Sequence, residues 1–201
     1  MRTKTETRRQ AILQAATEVF QQSGFERSSM SDICERVGYS KPTLYSYFPS
    51  KEELFFAVMF EATEIEFQTI FETLDTGMDD ITKSLENFGV GLLTLLYSPQ
   101  VQAVRRLVSS EAGRSDLGKK CFELGPARSE AAITAFIQAA MDQGQLRKAN
   151  PRVAGLHLKG LLEAEWIEGF IFQTLQELPK KELLLTVKRA VAVFMAAYGK
   201  D

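Results

Sequence analysis

The chain has 201 residues, 45% of them apolar and 25% charged, with 24 basic against 26 acidic side chains and a formal net charge of −2. Those proportions exclude a disordered tail, and no uninterrupted apolar run approaches the roughly 20 residues that a bilayer span needs, so a soluble protein without membrane partners is expected. The length allows one sizeable core or two modest domains.

Charge is unevenly placed. Residues 1–51 hold eight basic and five acidic side chains, a balance of +3 that leaves −5 for the remainder. A basic head on an acidic body lets phosphates attract one end and keeps the other off a polyanion. The first ten residues, MRTKTETRRQ, are polar and precede an amphipathic pattern rather than a secretory apolar core, which predicts a cytoplasmic protein.

Ile12, Ala15, Ala16, Val19 and Phe20 recur at helical spacing, so Thr7 to Ser23 is expected as a helix with one apolar stripe. From Ser28 to Lys51 the chain reads SSMSDICERVGYSKPTLYSYFPSK, two short helices with a tight turn between them. Ser29 can cap the first with Asp32 three residues on; Ile33, Cys34 and Val37 give it an apolar face, and Gly38 ends it. Ser40 then caps a second helix, in which Pro42 is tolerated because amides of the first turn lack an intrahelical partner. Leu44 and Phe48 share an inward face, leaving Lys41, Thr43, Tyr45, Ser46 and Tyr47 outward. One cation, hydroxyls and two phenols, with no negative charge among them, suit a surface for phosphates and base edges. This is the layout of a helix-turn-helix DNA reader.

These residues carry a resemblance. Ala15-Ala16 with Phe20, Gly24-Phe25, Ser29 to Ile33, Gly38-Tyr39-Ser40-Lys41-Pro42-Thr43-Leu44-Tyr45-Ser46-Tyr47-Phe48 and Ser50-Lys51-Glu52-Glu53-Leu54-Phe55 follow one another in the order seen in the TetR family of bacterial transcriptional regulators. The resemblance covers about Arg9 to Phe56. It implies that the Lys41 to Phe48 helix enters the major groove, with Lys41, Pro42, Thr43, Ser46 and Tyr47 nearest bases. It further implies Tyr45 and Lys51 on phosphates and Ser29 and Ser31 anchoring the preceding helix, while Ser40 belongs to the same face as the cap. Pro42 stands where many relatives have Gly or Ala, which makes its contact apolar, with a thymine methyl as a fitting partner.

Pro49-Ser50 marks a joint, dividing a DNA-binding domain of residues 1–50 from an effector-binding and dimerisation domain of residues 51–201. Ser50 with Glu53 opens a long helix to about Asp75 with apolar residues from Leu54 to Leu74, and this helix links the two parts. Gly77 interrupts. Ile81, Leu85, Phe88, Leu92, Leu95 and Leu96 mark a further helix up to Ser98-Pro99. Gln100 to Ala112 and Asp116 to Leu124 are shorter helical stretches around Gly113. Gly125-Pro126 opens another, with Ala131, Ala132, Ala135, Phe136, Ala139 and Ala140 on one face and Gly144 at its end. Pro151 begins a helix to about Phe172, and Pro179 precedes the last, with Leu184, Val187, Val191, Phe194, Met195 and Tyr198 along one side. No strand pattern occurs, so the fold class is all-α: a three-helix head with a helix-turn-helix, followed by a helical C-terminal domain.

Between Pro151 and Phe172 two apolar series coexist, Val153, Leu156, Gly160, Ala164 and Ile167 beside Leu158, Leu162, Trp166 and Phe170. A helix that buries one side in its own core and another against a partner has this pattern. A homodimer through the two final helices is therefore expected, with Gly155 and Gly160 allowing close approach, and the resemblance implies the same pairing. The stretch RRLVSSEAGRSDLGKKCFELGPAR from Arg105 to Arg128 is similar to one C-terminal subgroup of the family; its arginines, Arg105, Arg106, Arg114 and Arg128, suit internal salt bridges or an anionic effector.

Phe67, Phe71, Phe88, Leu92, Tyr97, Phe122, Trp166 and Phe170 lie on different helices and can line a cavity for an apolar or aromatic small molecule. Glu163, one turn from Trp166, would also admit a cation over the indole. Cys34 and Cys121 lie far apart and His157 is the lone histidine, so spacing assembles no metal site; no cofactor is expected. An enzyme reading lacks a Ser/His/Asp order, a metal cluster or a phosphate-cradling Gly-x-Gly loop. The sequence thus points to a regulator that binds double-stranded operator DNA, a repressor released by a small-molecule effector. The alternative is a helical ligand-binding or protein-interaction adaptor without DNA binding.

Overall fold

A computed structural model describes residues 4–74, 80–175 and 178–200, and among them the architecture is all-helical. The helix end expected at Asp75 and the interruption at Gly77 lie outside the described residues. Contacts divide the chain into two compact units, one ending at Glu64 and the other beginning at Ile65.

The first unit contains α1 (Lys4–Arg27), α2 (Met30–Val37), α3 (Lys41–Tyr47) and the opening turns of α4 (Lys51–Glu72). Gly24 kinks α1 near its end, with φ 73° and ψ 165°, a backbone state that suits only glycine. Ile12, Ala16, Ile33, Leu44 and Leu54 are fully buried, so all four helices contribute to one small core. Ser50 Oγ accepts from the Glu53 amide at 3.1 Å and starts α4 where the sequence places it. The unit nevertheless runs past the 50/51 joint, because Leu54, Phe55, Phe56 and Val58 on the first turns of α4 are buried. Phe55 meets Phe20 edge-on at 5.2 Å and Phe25 at 4.8 Å. A capping residue sets where a helix begins, whereas the edge of a unit is set by where apolar burial ends.

The second unit holds the end of α4, then α5 (Ile81–Leu96), α6 (Pro99–Ser110), α7 (Leu117–Leu124), α8 (Pro126–Asp142), α9 (Pro151–Glu163), α10 (Ile167–Ile171) and α11 (Lys180–Tyr198). Asp80, Ser98 and Asn150 each accept a backbone N–H three residues on, capping α5, α6 and α9. Leu85, Phe88, Leu93, Ile137, Leu158, Leu162, Val187, Val191 and Phe194 form a fully buried core in which α9 packs between α8 and α11, and α11 against α5. Gly89 allows that closeness: a Cβ there would lie 2.8 Å from both Leu162 Cδ2 and Val187 Cγ1.

Four expectations are corrected. The helix from Pro151 ends at Glu163, not near Phe172; a turn at Ala164–Trp166 precedes α10. The Glu165 carboxylate on that turn accepts from Thr186 Oγ1 at 2.9 Å and from Arg189 Nε and Nη2 at 2.9 and 2.6 Å, so bonds to α11 hold the turn in place. On α8 the expected face is split: Phe136 and Ala140 are buried as expected, but Ala131 and Ala135 are exposed, and Ile133, Ile137 and Met141, which lie outside that face, are buried instead. The larger side chains bury more apolar area each and so win the inward orientation. Gly155 makes its close approach inside the chain, where a Cβ would meet Ile133 Cγ2 at 3.0 Å, whereas Gly160 faces open space. Finally, Leu184 is 47% exposed, while Val187, Val191 and Phe194 are fully buried in the chain's own core and present nothing to a partner.

Candidate nucleic-acid interface and effector site

The α2–turn–α3 geometry follows from its caps. Ser29 Oγ accepts from the Asp32 amide at 3.2 Å and Asp32 Oδ2 accepts from the Ser29 amide at 2.9 Å, a reciprocal capping box. Gly38 takes the left-handed conformation, φ 73°, and its N–H closes on the Cys34 carbonyl at 2.9 Å. Ser40 Oγ accepts from the Thr43 amide at 3.3 Å and shares a hydrogen bond with Thr43 Oγ1 at 2.8 Å; Ser46 Oγ donates to the Thr43 carbonyl at 2.6 Å. Leu44 and Phe48 point inward, and Arg36, paired with Glu18 at 2.8 Å and with Gln22 at 3.0 Å, braces α2 on α1.

Lys41, Pro42, Tyr45 and Ser46 are exposed, and Thr43 and Tyr47 half-buried, along one side of α3; Ser29, Ser31 and Ser40 are exposed beside it. Lys41, Tyr45 and Tyr47 carry no side-chain hydrogen bond within the described residues. The surface therefore offers one free ammonium and two free phenols, held at fixed spacing by a short, doubly capped helix, which suits phosphate and base-edge contacts. Lys51 is placed differently. Its Nζ donates to the carbonyls of Phe25 and Ser28 at 2.8 and 3.1 Å and lies 4.2 Å from the Phe25 ring centroid, so most of its bonding capacity is spent inside the first unit.

The residues expected to bind an effector divide into three groups. Phe88, Leu92 and Tyr97 are buried core, with Phe71, Trp166 and Phe170 packed against it; Phe71 meets Phe88 at 5.4 Å and Phe67 at 4.5 Å. Phe122 is 55% exposed on α7 and does not belong to that interior. Glu163 is the centre of a polar group: its Oε1 accepts from Arg105 Nη2 at 3.2 Å and from Tyr97 Oη at 3.4 Å, while Phe170 covers Tyr97 at 4.2 Å. Glu163 already has a guanidinium partner in Arg105, which lies 5.6 Å from the Tyr97 ring centroid, so its carboxylate is engaged there and not with a cation over the indole.

Burial, and next the Glu163 carboxylate, push the Tyr97 phenol well above its ordinary range, with Arg105 opposing. Burial likewise pushes the Cys121 thiol up, again against Arg105. The indole N–H of Trp166 is buried with no hydrogen-bond partner among the described residues. Sequence spacing showed neither the role of Lys51 nor the meeting of Tyr97, Arg105 and Glu163, because the partners lie on helices far apart in the chain. Among the described residues, no helix is long and apolar enough to cross a membrane.

Two family models match the chain. Bacterial regulatory proteins of the tetR family match residues 12–58, and the C-terminal domain of AefR-like transcriptional repressors matches residues 83–200. The crystal structure of a TetR-family transcriptional regulator from Mesorhizobium loti MAFF303099 is 27% identical with a TM-score of 0.85, covering 99% of this chain and 100% of that one. The HTH-type regulator YfiR of Bacillus subtilis (strain 168) is 29% identical over 72% of this chain and 71% of its own length. The HTH-type transcriptional activator FasR of Mycolicibacterium smegmatis is 48% identical, but over only 26% of this chain and 24% of its own length.

Proposed function

The chain belongs to the TetR family of bacterial transcriptional regulators, and from that premise we propose that it is a cytoplasmic, homodimeric repressor which a small-molecule effector releases from operator DNA. The observation that carries the DNA-binding part is the outward row of α3, a free ammonium and two free phenols on a capped helix-turn-helix. Lys41, Pro42, Thr43, Ser46 and Tyr47 face bases, Tyr45 faces a phosphate, and Ser29, Ser31 and Ser40 support the face. Lys51 holds the frame.

The dimer forms on the outside of α9 and α11. Leu156, Gly160, Leu161, Val193, Ala197 and Tyr198 line one open apolar groove there, and Leu156 and Val193 are 40% and 54% exposed. The effector occupies the second unit near Tyr97, Glu163 and Trp166, and α4, the covalent connection between the units, transmits its binding. Fluorescence anisotropy on duplexes from the upstream regions of the source genome tests the DNA reading. One near-palindromic fragment should be retained, and Lys41→Ala should cost about 1–3 kcal/mol at one base position while leaving others intact. Equal affinity of the parent and Lys41→Ala proteins for every duplex, with the fold unchanged, would remove α3 from the interface.

A further inference from the structure

We infer that the second unit selects an uncharged aromatic molecule through a hydrogen-bond acceptor on that molecule: Trp166 Nε1–H is the docking donor, and the closed Arg105–Glu163 pair turns charged analogues away. This rests on the reading of that unit as the effector-binding part and gives its ligand a chemical class.

Three observations support it, all from Trp166, its neighbours one turn away in the chain, the core residue Tyr97 and the Arg105 paired with Glu163. Buried donors in folded proteins are paired with few exceptions, and a buried one left without a partner asks for an explanation. Trp166 Nε1 is such a donor among the described residues. An arriving acceptor would complete it, so the free state already carries a binding preference for a carbonyl, hydroxyl or ether oxygen.

The second observation is the wall. Trp166 sits on the turn between α9 and α10, one turn after Glu163, its amide bonded to the Glu163 carbonyl at 3.0 Å. It is also one turn before Phe170, whose amide bonds to the Trp166 carbonyl at 3.2 Å. Phe170 lies 4.2 Å from Tyr97, and Trp166 and Phe170 are partly buried against the core. Three aromatic side chains, Tyr97 at the end of α5, Trp166 on the α9–α10 turn and Phe170 in α10, favour a flat, apolar body.

The third is charge. Glu163 has 12% of its side chain exposed and Arg105 32%, at 3.2 Å from each other, so the pair is neutral as a unit. A cationic ligand would have to take Glu163 from Arg105 and leave the guanidinium without its anion. An anionic ligand would stand beside the buried carboxylate. A neutral ligand disturbs neither, so the pair discriminates by penalising both signs of charge.

The test uses the full chain and an isosteric series on one ring system: 2-naphthamide, 2-naphthoate and 2-naphthamidinium. Trp166 is the single tryptophan, so the 15N-labelled protein has one indole N–H resonance. By calorimetry 2-naphthamide should bind at least tenfold more tightly than either ion, and it should move that resonance downfield as the hydrogen bond forms. Trp166→Phe should lose most of the amide's advantage. Glu163→Gln should raise naphthoate affinity at least tenfold, because Arg105 is then free for an anion. The inference is overturned if 2-naphthamide fails to bind at millimolar concentration, binds without moving the indole resonance, or is matched by either ion. Operator affinity is scored separately. Amide binding that leaves operator affinity untouched keeps this inference and sinks effector release, whereas failure of the amide to bind overturns this inference and leaves the operator-binding reading as it was.

Discussion

The ammonium of Lys51 donates to the carbonyls of Phe25, at the end of α1, and Ser28, just beyond it, and lies over the Phe25 ring, so truncating it strips two charge-assisted hydrogen bonds from the first unit. Lys51→Ala should lower the stability of that unit by about 1–3 kcal/mol. Well below the melting temperature it should cost less DNA affinity than Lys41→Ala. Thermal melts paired with anisotropy at low temperature check this; a Lys51→Ala protein that melts like the parent but loses affinity for all duplexes alike would return Lys51 to the phosphate backbone. The hydroxyls of Ser40, Thr43 and Ser46 are in a different position from Lys41 and Tyr45, being engaged with one another or with the backbone of α3. They hold the helix end in shape and retain acceptor capacity toward a base edge.

Packing between elements turns on two short features. Gly89 lets α5 approach α9 and α11, and an added methyl would lie 2.8 Å from two side chains that are themselves fully buried. The gain in helix propensity from alanine, up to about 1 kcal/mol, is outweighed by overpacking of about 1–3 kcal/mol, so Gly89→Ala should lower the melting temperature. A rise in Tm would show that Leu162 and Val187 can give way. The α9–α10 turn depends on Glu165, whose carboxyl is held below its usual range by hydrogen bonds from Arg189 and then Thr186, with burial opposing. Its folded pKa is depressed, so its stabilising contribution is full above the unfolded value near about 4.3 and is lost as pH falls through the folded value. Glu165→Gln should therefore flatten the fall in Tm between neutral pH and about pH 4. The effect is modest, because Glu165 is 41% exposed and solvent screens the pair. Parallel melting curves of parent and variant down to that pH would remove Glu165 from the account.

For the whole molecule, the proposed dimer rests on a surface that a single chain leaves open. Val193 is 54% exposed on α11 while Val191, two residues earlier, is fully buried. Val193→Glu should yield a monomer by light scattering with an unchanged helical spectrum, whereas Val191→Glu should unfold the second unit itself. A dimeric Val193→Glu protein would move the interface elsewhere. A dimer places two reading helices roughly 34–36 Å apart, one turn of DNA, and so implies a two-fold operator. For an effector to lower operator affinity a hundredfold it must prefer the non-binding conformation by about 2.7 kcal/mol.

The sequence by itself determined the features whose causes are local. The Ser29–Asp32 box, the Gly38 stop, the Ser40 cap and the inward pair Leu44 and Phe48 each depend on residues within a turn or two, and all appear as the spacing predicts. The two apolar series after Pro151 were legible for the same reason: Leu158 and Leu162 are buried, and Val153 and Leu156 exposed. Tertiary structure decided what depends on a distant partner. Arg105 and Tyr97 reach Glu163 across 58 and 66 residues, Lys51 reaches Phe25 across 26, and Glu165 reaches Arg189 across 24. The rotation of α8 that buries Ile133, Ile137 and Met141 beside Phe136 and Ala140, and leaves Ala131 and Ala135 exposed, was likewise set by what α9 and the core offered. Helical periodicity states only that a face exists; which face is buried, and which charge finds its counter-ion, follows from the shape and polarity of the elements that pack against it.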